Sequence, residues 1–408
     1  MTMRRNVQVL ALVGSGHAVS HLYLLALPPL FPLLRDDLGA SYAALGLLVT
    51  VFNVATGAAQ IPAGFLVDRF GARRLLLLGL AIMGSAMVAL GFAPTYWLML
   101  VLVATAGIGN SVFHPADYAI LTASVDRGWL GRAFGIHTFA GNVGFALAPA
   151  TMIALTALLG WRGALSAAGL VAFVVLGAML LWGELLRDET RSLEGRRKPA
   201  GPGAGIRLLL SGPILLLFFF YVLAAMFTSG VHSFSVTALN GLWGTDLALA
   251  NVILSAFLTA SALGILLGGL IADHTQRYGL LTVAVFGAAA ALTLLVGLVP
   301  LPAIAIGLLF VAIGLLQGSA RTSRDMLVRK VTPVGATGRV FAFVMTGLNV
   351  GAAITPVLFG LLLDRGEPRL VFLLLASFLI AAAGVVLLAQ AAIAAREAAK
   401  RPEKLPAE

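Results

Sequence analysis

Gly64-Phe65-Leu66-Val67-Asp68-Arg69-Phe70-Gly71-Ala72-Arg73-Arg74 separates two long apolar runs, about 42–63 and about 75–93. Asp68, Arg69, Arg73 and Arg74 put four charges into seven residues, where the chain on either side carries almost none. Two apolar helices joined by so short a polar link form a hairpin. Its glycines allow a tight turn and close helix approach. Asp68 is placed to face the positive end of a helix dipole, and the arginines to sit at lipid headgroups.

The whole chain has the composition that such a hairpin needs. Of 408 residues, 60% are hydrophobic and 11% charged, and the mean hydropathy is +1.00. A soluble protein of this size could not expose so few charges, so the bilayer is its solvent. The net charge of +10 therefore does not point to nucleic acid. The chain has no cysteine, which excludes a disulfide framework and thiol chemistry. The first apolar run starts at Val7, holds His17 and His21, and shows no small-residue cleavage site after a short core. It reads as a first span and not a removed signal.

Apolar runs of helical length fall at about 7–34, 42–63, 75–93, 96–124, 132–157 and 161–186, then at about 208–238, 247–272, 280–299, 303–331, 338–363 and 370–394. Each can cross a core of roughly 30 Å. Twelve spans put both termini on one side. Of the 27 lysines and arginines, 21 fall on that side, while Arg35, Arg162, Arg365 and Arg369 fall on the other and Arg321 and Arg324 lie within a span. The asymmetry predicts cytoplasmic termini. Residues 187–207 are charged and then rich in Pro and Gly, which predicts a cytoplasmic linker between residues 1–186 and 208–394, with a polar tail at 395–408.

The two halves repeat. At an offset of 207, Gly107 matches Gly314, Gly131-Arg132 matches Gly338-Arg339, Phe134 matches Phe341, Asn142-Val143-Gly144 matches Asn349-Val350-Gly351, and Pro149 matches Pro356. At an offset of 205, Gly269-Leu270-Ile271-Ala272-Asp273 echoes Gly64-Phe65-Leu66-Val67-Asp68. One register across so many glycines, prolines and polar residues implies six helices duplicated as a parallel repeat, with a site at the interface near mid-membrane.

The 64–74 stretch resembles the G-x-L-x-D-R-x-G-R-R signature between the second and third helices of the major facilitator superfamily, with Ala72 in a slot that is usually basic. Gly135, Gly144 and Ala148-Pro149 in the fifth span resemble the Gly/Pro motif of that superfamily's drug:proton antiporters, and Phe113-His114-Pro115 resembles its fosmidomycin-resistance branch. The resemblance implies an all-α membrane fold of two six-helix bundles, with the first, fourth, seventh and tenth helices lining a central cavity. It also implies a charge network that holds the cytoplasmic gate shut. Asp68, Arg69, Asp126, Arg127, Arg132, Asp273 and Arg339 are its candidates, with Gly64, Gly71 and Arg73 as further residues of the motif and plain interfacial anchoring as the other reading. Many proton-coupled relatives carry an arginine where this chain has Val103, which puts the usual coupling scheme in doubt.

Polar residues inside spans are expensive in lipid and are functional candidates by default. In the fourth span Asn110, His114 and Asp117 follow i, i+4, i+7 spacing; in the tenth, Gln317, Arg321 and Arg324 do the same, followed by Asp325. By the repeat, Asp117 matches Arg324, so one helix presents an acidic and imidazole face and its mate a guanidinium face; the two arginines are expected to bind a substrate's anionic group or to neutralise Asp117, with anchoring of the helix end as the other reading. His17, Ser20 and His21 share a face of the first span, and His232 lies mid-membrane in the seventh. Histidine titrates near neutral pH and suits a proton relay; hydrogen-bonded structural histidines are the alternative, which is the reading preferred for His137. The sequence has no P-loop, zinc-protease motif or nucleophile elbow, so neither an ATP-driven pump nor an enzyme is expected. The reading is a secondary transporter working by alternating access, exporting a small molecule against protons, with His114 and Asp117 as the protonation site. Proton- or ion-coupled uptake of a small organic anion is the alternative, because two buried arginines suit an anionic group. No cofactor or metal is expected. The expected partners are a small-molecule substrate, protons and the lipid bilayer of a bacterial inner membrane, with no nucleic acid, for a monomeric chain.

Overall fold

A computed structural model describes residues 3–186, 208–274, 277–332 and 337–399. The expected linker 187–207 lies outside them, as does the end of the tail. Eleven helices are long and apolar enough to cross a membrane, and one of these, Arg132–Leu181, runs to 50 residues. It is two spans, because Gly160 breaks it with a φ of 68° that an L side chain rarely adopts. The described residues therefore make twelve passes. They are α1 (Met3–Leu38), α2 (Tyr42–Phe70), α3 (Ala72–Leu90), α4 (Tyr96–Ser124), α5 (130–159), α6 (161–181), α7 (Gly212–Trp243), α8 (Leu247–His274), α9 (Tyr278–Leu298), α10 (Ala303–Val331), α11 (Thr337–Asp364) and α12 (Pro368–Ala399).

Two of the spans are locally broken. Pro28 and Pro29 open a 3-10 turn inside α1, and α4 loosens at Ser111-Val112. Several helix starts carry side-chain caps: Ser41 Oγ accepts from Ala44 N at 3.1 Å, and Asp246 Oδ1 from Ala248 N at 2.9 Å. The 64–74 stretch is the hairpin expected: Gly71, at φ 99°, turns α2 directly into α3.

The internal repeat is visible in the packing. Gly107 of α4 lies against the Phe52 carbonyl and Ala55 of α2; Gly314 of α10 lies against the Phe257 carbonyl and Ala260 of α8. Gly144 of α5 packs on Ala18 of α1, and Gly351 of α11 on Val222 and Ala225 of α7. Each contact recurs at nearly the offset the sequence repeat gives, so the two six-helix bundles share one small-residue packing scheme.

The halves meet chiefly where α2 runs beside α11 and α5 beside α8. The α2–α11 contact is zipped at one end. Asp364 accepts from Tyr42 N at 2.7 Å and Ala43 N at 2.9 Å, Gly46 lies on the Pro356 carbonyl, and Thr50 Oγ1 donates to Ala353 O at 2.6 Å. Towards the Gly71 end the helices part: Ile61 and Phe65 of α2 are each 73% exposed. At Gly64, expected to allow close approach, a Cβ would meet no atom of the described residues within 4 Å.

Candidate functional site

A cavity of about 300 Å³ lies where the two bundles face each other. Its walls are more apolar than polar, with Leu24, Leu25, Phe257 and Phe286 among the apolar residues. The polar lining includes Asn53 of α2, Asn142 of α5, His232 of α7, Gln317, Arg321 and Arg324 of α10, and Asn349 of α11. Among the described lining residues, the two arginines are the only ones with a fixed charge. Arg321 Nη1 reaches across the bundles to Asn142 Oδ1 at 3.4 Å. The Arg324 guanidinium lies 4.4 Å from the Tyr221 ring centroid, and its Nε is 3.4 Å from Asp325 Oδ1. Tyr221 Oη donates to the same Asp325 oxygen at 2.7 Å. Asp325 thus holds Arg324 from outside the cavity, leaving Arg321 without a carboxylate among the described residues.

Pro356 explains part of this wall. Proline at position 356 cannot donate to the Ala352 carbonyl one turn earlier, and Ser229 Oγ donates there instead at 3.3 Å. Both residues line the cavity.

The other candidates gather behind the wall, inside the first bundle. Asp117 is wholly buried, with His17 Nδ1 at 3.5 Å and His137 Nε2 at 3.6 Å from its Oδ2. The His17 ring is centred 4.3 Å from His21, 5.4 Å from His114 and 3.9 Å from His137. Gly141 makes this possible: a Cβ there would sit 2.7 Å from His17 Cδ2 and 2.8 Å from His21 Cε1. Phe145 stands between cluster and cavity, its ring 4.3 Å from His21 and 5.3 Å from His232.

Four expectations change. Asn110 does not join His114 and Asp117; α4 loosens just after it, and its amide points to Thr56 of α2 at 3.4 Å. Ser20 turns to the carbonyl of His17, at 2.8 Å. His137, read as a structural residue near a helix start, is instead in direct contact with the Asp117 cluster. Asp117 pairs with neither arginine: it points into its own bundle, so the symmetry-related faces of α4 and α10 do not meet.

The gate candidates are scattered. Asp68 is exposed and makes no hydrogen bond or ion pair with the described residues. Arg69 lies 5.3 Å over Phe70, Arg132 lies 5.3 Å over Trp129, and Arg73 packs on Gly183. Asp126 accepts from Asn6 Nδ2 at 3.0 Å, a partner in its own bundle, and that bond holds its carboxyl below the usual range. Pro149 lies inside α5. The side chains of Arg127, Asp273 and Arg339 fall outside the description. Asn142 and Asn349 were missed as lining residues, although their shared place in the repeat marked them.

Comparison with known proteins agrees with this architecture. The chain is 26% identical over 380 residues to the fosmidomycin resistance protein of Escherichia coli, covering 90% of this chain and 89% of that one. It is 34% identical over 156 residues to a probable sulfoacetate transporter, SauU, of Cupriavidus necator, covering 38% and 34%. The structure of a bacterial homologue of the human lysosomal transporter Spinster, inward-facing and unoccupied, superposes with a TM-score of 0.78 at 15% identity over 95% of this chain and 98% of that one. The profile of the Major Facilitator Superfamily matches residues 13–242 and again 217–407. The chain belongs to the major facilitator superfamily and is a multi-pass membrane transporter of a small molecule, not an enzyme.

Proposed function

We propose that this transporter carries a small organic anion out of a bacterial cell in exchange for protons, by alternating access, as a monomer in the inner membrane with both termini cytoplasmic. One observation carries the anion: among the described residues, Arg321 and Arg324 are the only fixed charges on the wall of a small, largely apolar cavity between the bundles. An unpaired guanidinium in such a site is costly to desolvate, and an anion offsets that cost. The relative named for fosmidomycin resistance supports export, and the one named for sulfoacetate supports an anionic cargo. The chain has no P-loop, so an ion gradient must drive the work. The zipped end at Tyr42 and Asp364 is then the periplasmic gate, closed here, and the parted end at Gly71 opens to the cytoplasm.

A second reading is uptake of the anion together with a proton. His232 favours it, since it shares the cavity wall with both arginines and a proton there would add to the attraction for an anion. Inside-out vesicles with a pH-sensitive dye and a panel of small anions, cations and neutral compounds distinguish the two. Export by exchange requires anions to release protons from the acidified lumen. Alkalinisation of the outer medium by anions favours the second reading, and a response to cations or neutral compounds alone removes both.

A further inference from the structure

We infer that His17, His114, His137 and Asp117 form a binding site for one divalent transition-metal ion, tying α1, α4 and α5 together inside the first bundle. The inference does not rest on the transport reading. His17, Asp117 and His137 are 3%, 0% and 2% exposed, and His17 Nδ1, both nitrogens of His137 and both oxygens of Asp117 have no hydrogen-bond partner. Groups of this kind are rarely left unpaired in a protein interior. They are also wrongly spaced for pairing with one another. The contacts of 3.5 and 3.6 Å to Asp117 Oδ2 are longer than an N–H···O bond of about 2.7–3.2 Å. They do match the edge of a tetrahedron with arms of about 2.0–2.1 Å, which is about 3.4 Å. An ion held between the three atoms explains the spacing and gives His17 Nδ1, His137 Nε2 and Asp117 Oδ2 a partner.

The third imidazole completes the set. One nitrogen each from His17, His114 and His137 lie within 4.8 Å of one another. His114 is the exposed member, so its ring has room to close by rotation. Three imidazoles and one carboxylate select zinc, cobalt or nickel; magnesium and calcium take oxygen ligands. Gly141 supports the site from outside, because a side chain there would strike the His17 ring. No spaced metal motif appears in the sequence because the four ligands come from three helices.

The test uses the full-length protein in detergent, purified without a histidine tag and stripped with a chelator, then titrated with Co²⁺ and with Zn²⁺. The site is expected to take up one Co²⁺ per chain, giving the visible ligand-field bands of a tetrahedral N/O complex, which Zn²⁺ abolishes. Zn²⁺ should also raise the unfolding midpoint in a concentration-dependent way. His114→Ala, at the exposed ligand, should weaken Zn²⁺ binding by about tenfold or more without lowering the metal-free midpoint. Asp117→Asn should remove the Co²⁺ bands, and His232→Ala, outside the cluster, should leave the Co²⁺ bands and the Zn²⁺ affinity as they are in the wild type. Two results overturn the site: no stoichiometric uptake by the wild type, which leaves water or protons between these groups, or uptake that His114→Ala and Asp117→Asn leave intact.

Discussion

Replacing Asp364 by Ala cuts the zip that closes one end of the molecule. The carboxylate accepts from Tyr42 N and Ala43 N at 2.7 and 2.9 Å, the first free amides of α2, while Ser41 Oγ keeps the third at 3.1 Å. The helix stays capped by its own residue, so the loss falls on the contact between bundles. A helix cap is worth about 1 kcal/mol, and a charge at a helix N-terminus adds about 0.3–1 kcal/mol. Asp364 is exposed, so solvent screening keeps the sum near the low end, about 1 kcal/mol. That corresponds to about a fivefold rise in the ratio of open to closed at this end. The chain has no cysteine, so spin labels on Ala40→Cys and Glu367→Cys report this end without background. The long-distance population should grow about fivefold in Asp364→Ala. A distance distribution identical to that of the unsubstituted pair would show that the carboxylate does not latch the gate.

Three further outcomes are expected. Gly141→Ala pushes a methyl against His17 and His21 and should lower the unfolding midpoint, by the equivalent of about 1–3 kcal/mol of overpacking; an unchanged midpoint would mean the α1–α5 contact is looser than described. Asp126 is held below its ordinary value of 3.8 by Asn6, so its contribution is complete at neutral pH and fades as pH falls through that lowered value; Asn6→Ala should lower the unfolding midpoint at neutral pH and meet the wild type on acidification, and parallel or superimposable midpoint-versus-pH curves would contradict this. His232 faces Arg321 of α10, with Phe145 between it and His21 and with Phe257 of α8 beside it. If a proton there aids binding, anion affinity should rise on acidification in the wild type and lose that dependence in His232→Gln; a flat wild-type profile removes the uptake reading.

Much of the fold was legible because apolar runs and their charged ends are local signals. Twelve runs appear in the sequence, and even the merged pair is divided at Gly160, between the runs expected at 132–157 and 161–186. The repeat was legible too, since Gly107 and Gly314 perform the same packing task against Phe52 and Phe257. The site was legible only in part. Spacing along one helix cannot say which neighbour a face meets. The repeat pairs Asp117 with Arg324 in sequence, but each lies against helices of its own bundle. His137 looked unremarkable until α1, α4 and α5 brought it to Asp117. Asn110 shares a helical spacing with His114, yet the loosened turn after it directs its amide to α2.

The central claim is that Arg321 and Arg324 bind an anion in the cavity between the bundles. The most direct measurement is the affinity of the purified transporter for small carboxylates and phosphonates, in the wild type and in Arg321→Lys and Arg324→Lys. Lysine keeps the charge but loses the planar fork that grips such groups. Each variant should bind about tenfold more weakly, the loss of about one charge-assisted hydrogen bond, with its unfolding midpoint unchanged. Equal affinity in all three proteins, or binding of cations in place of anions, would contradict the claim.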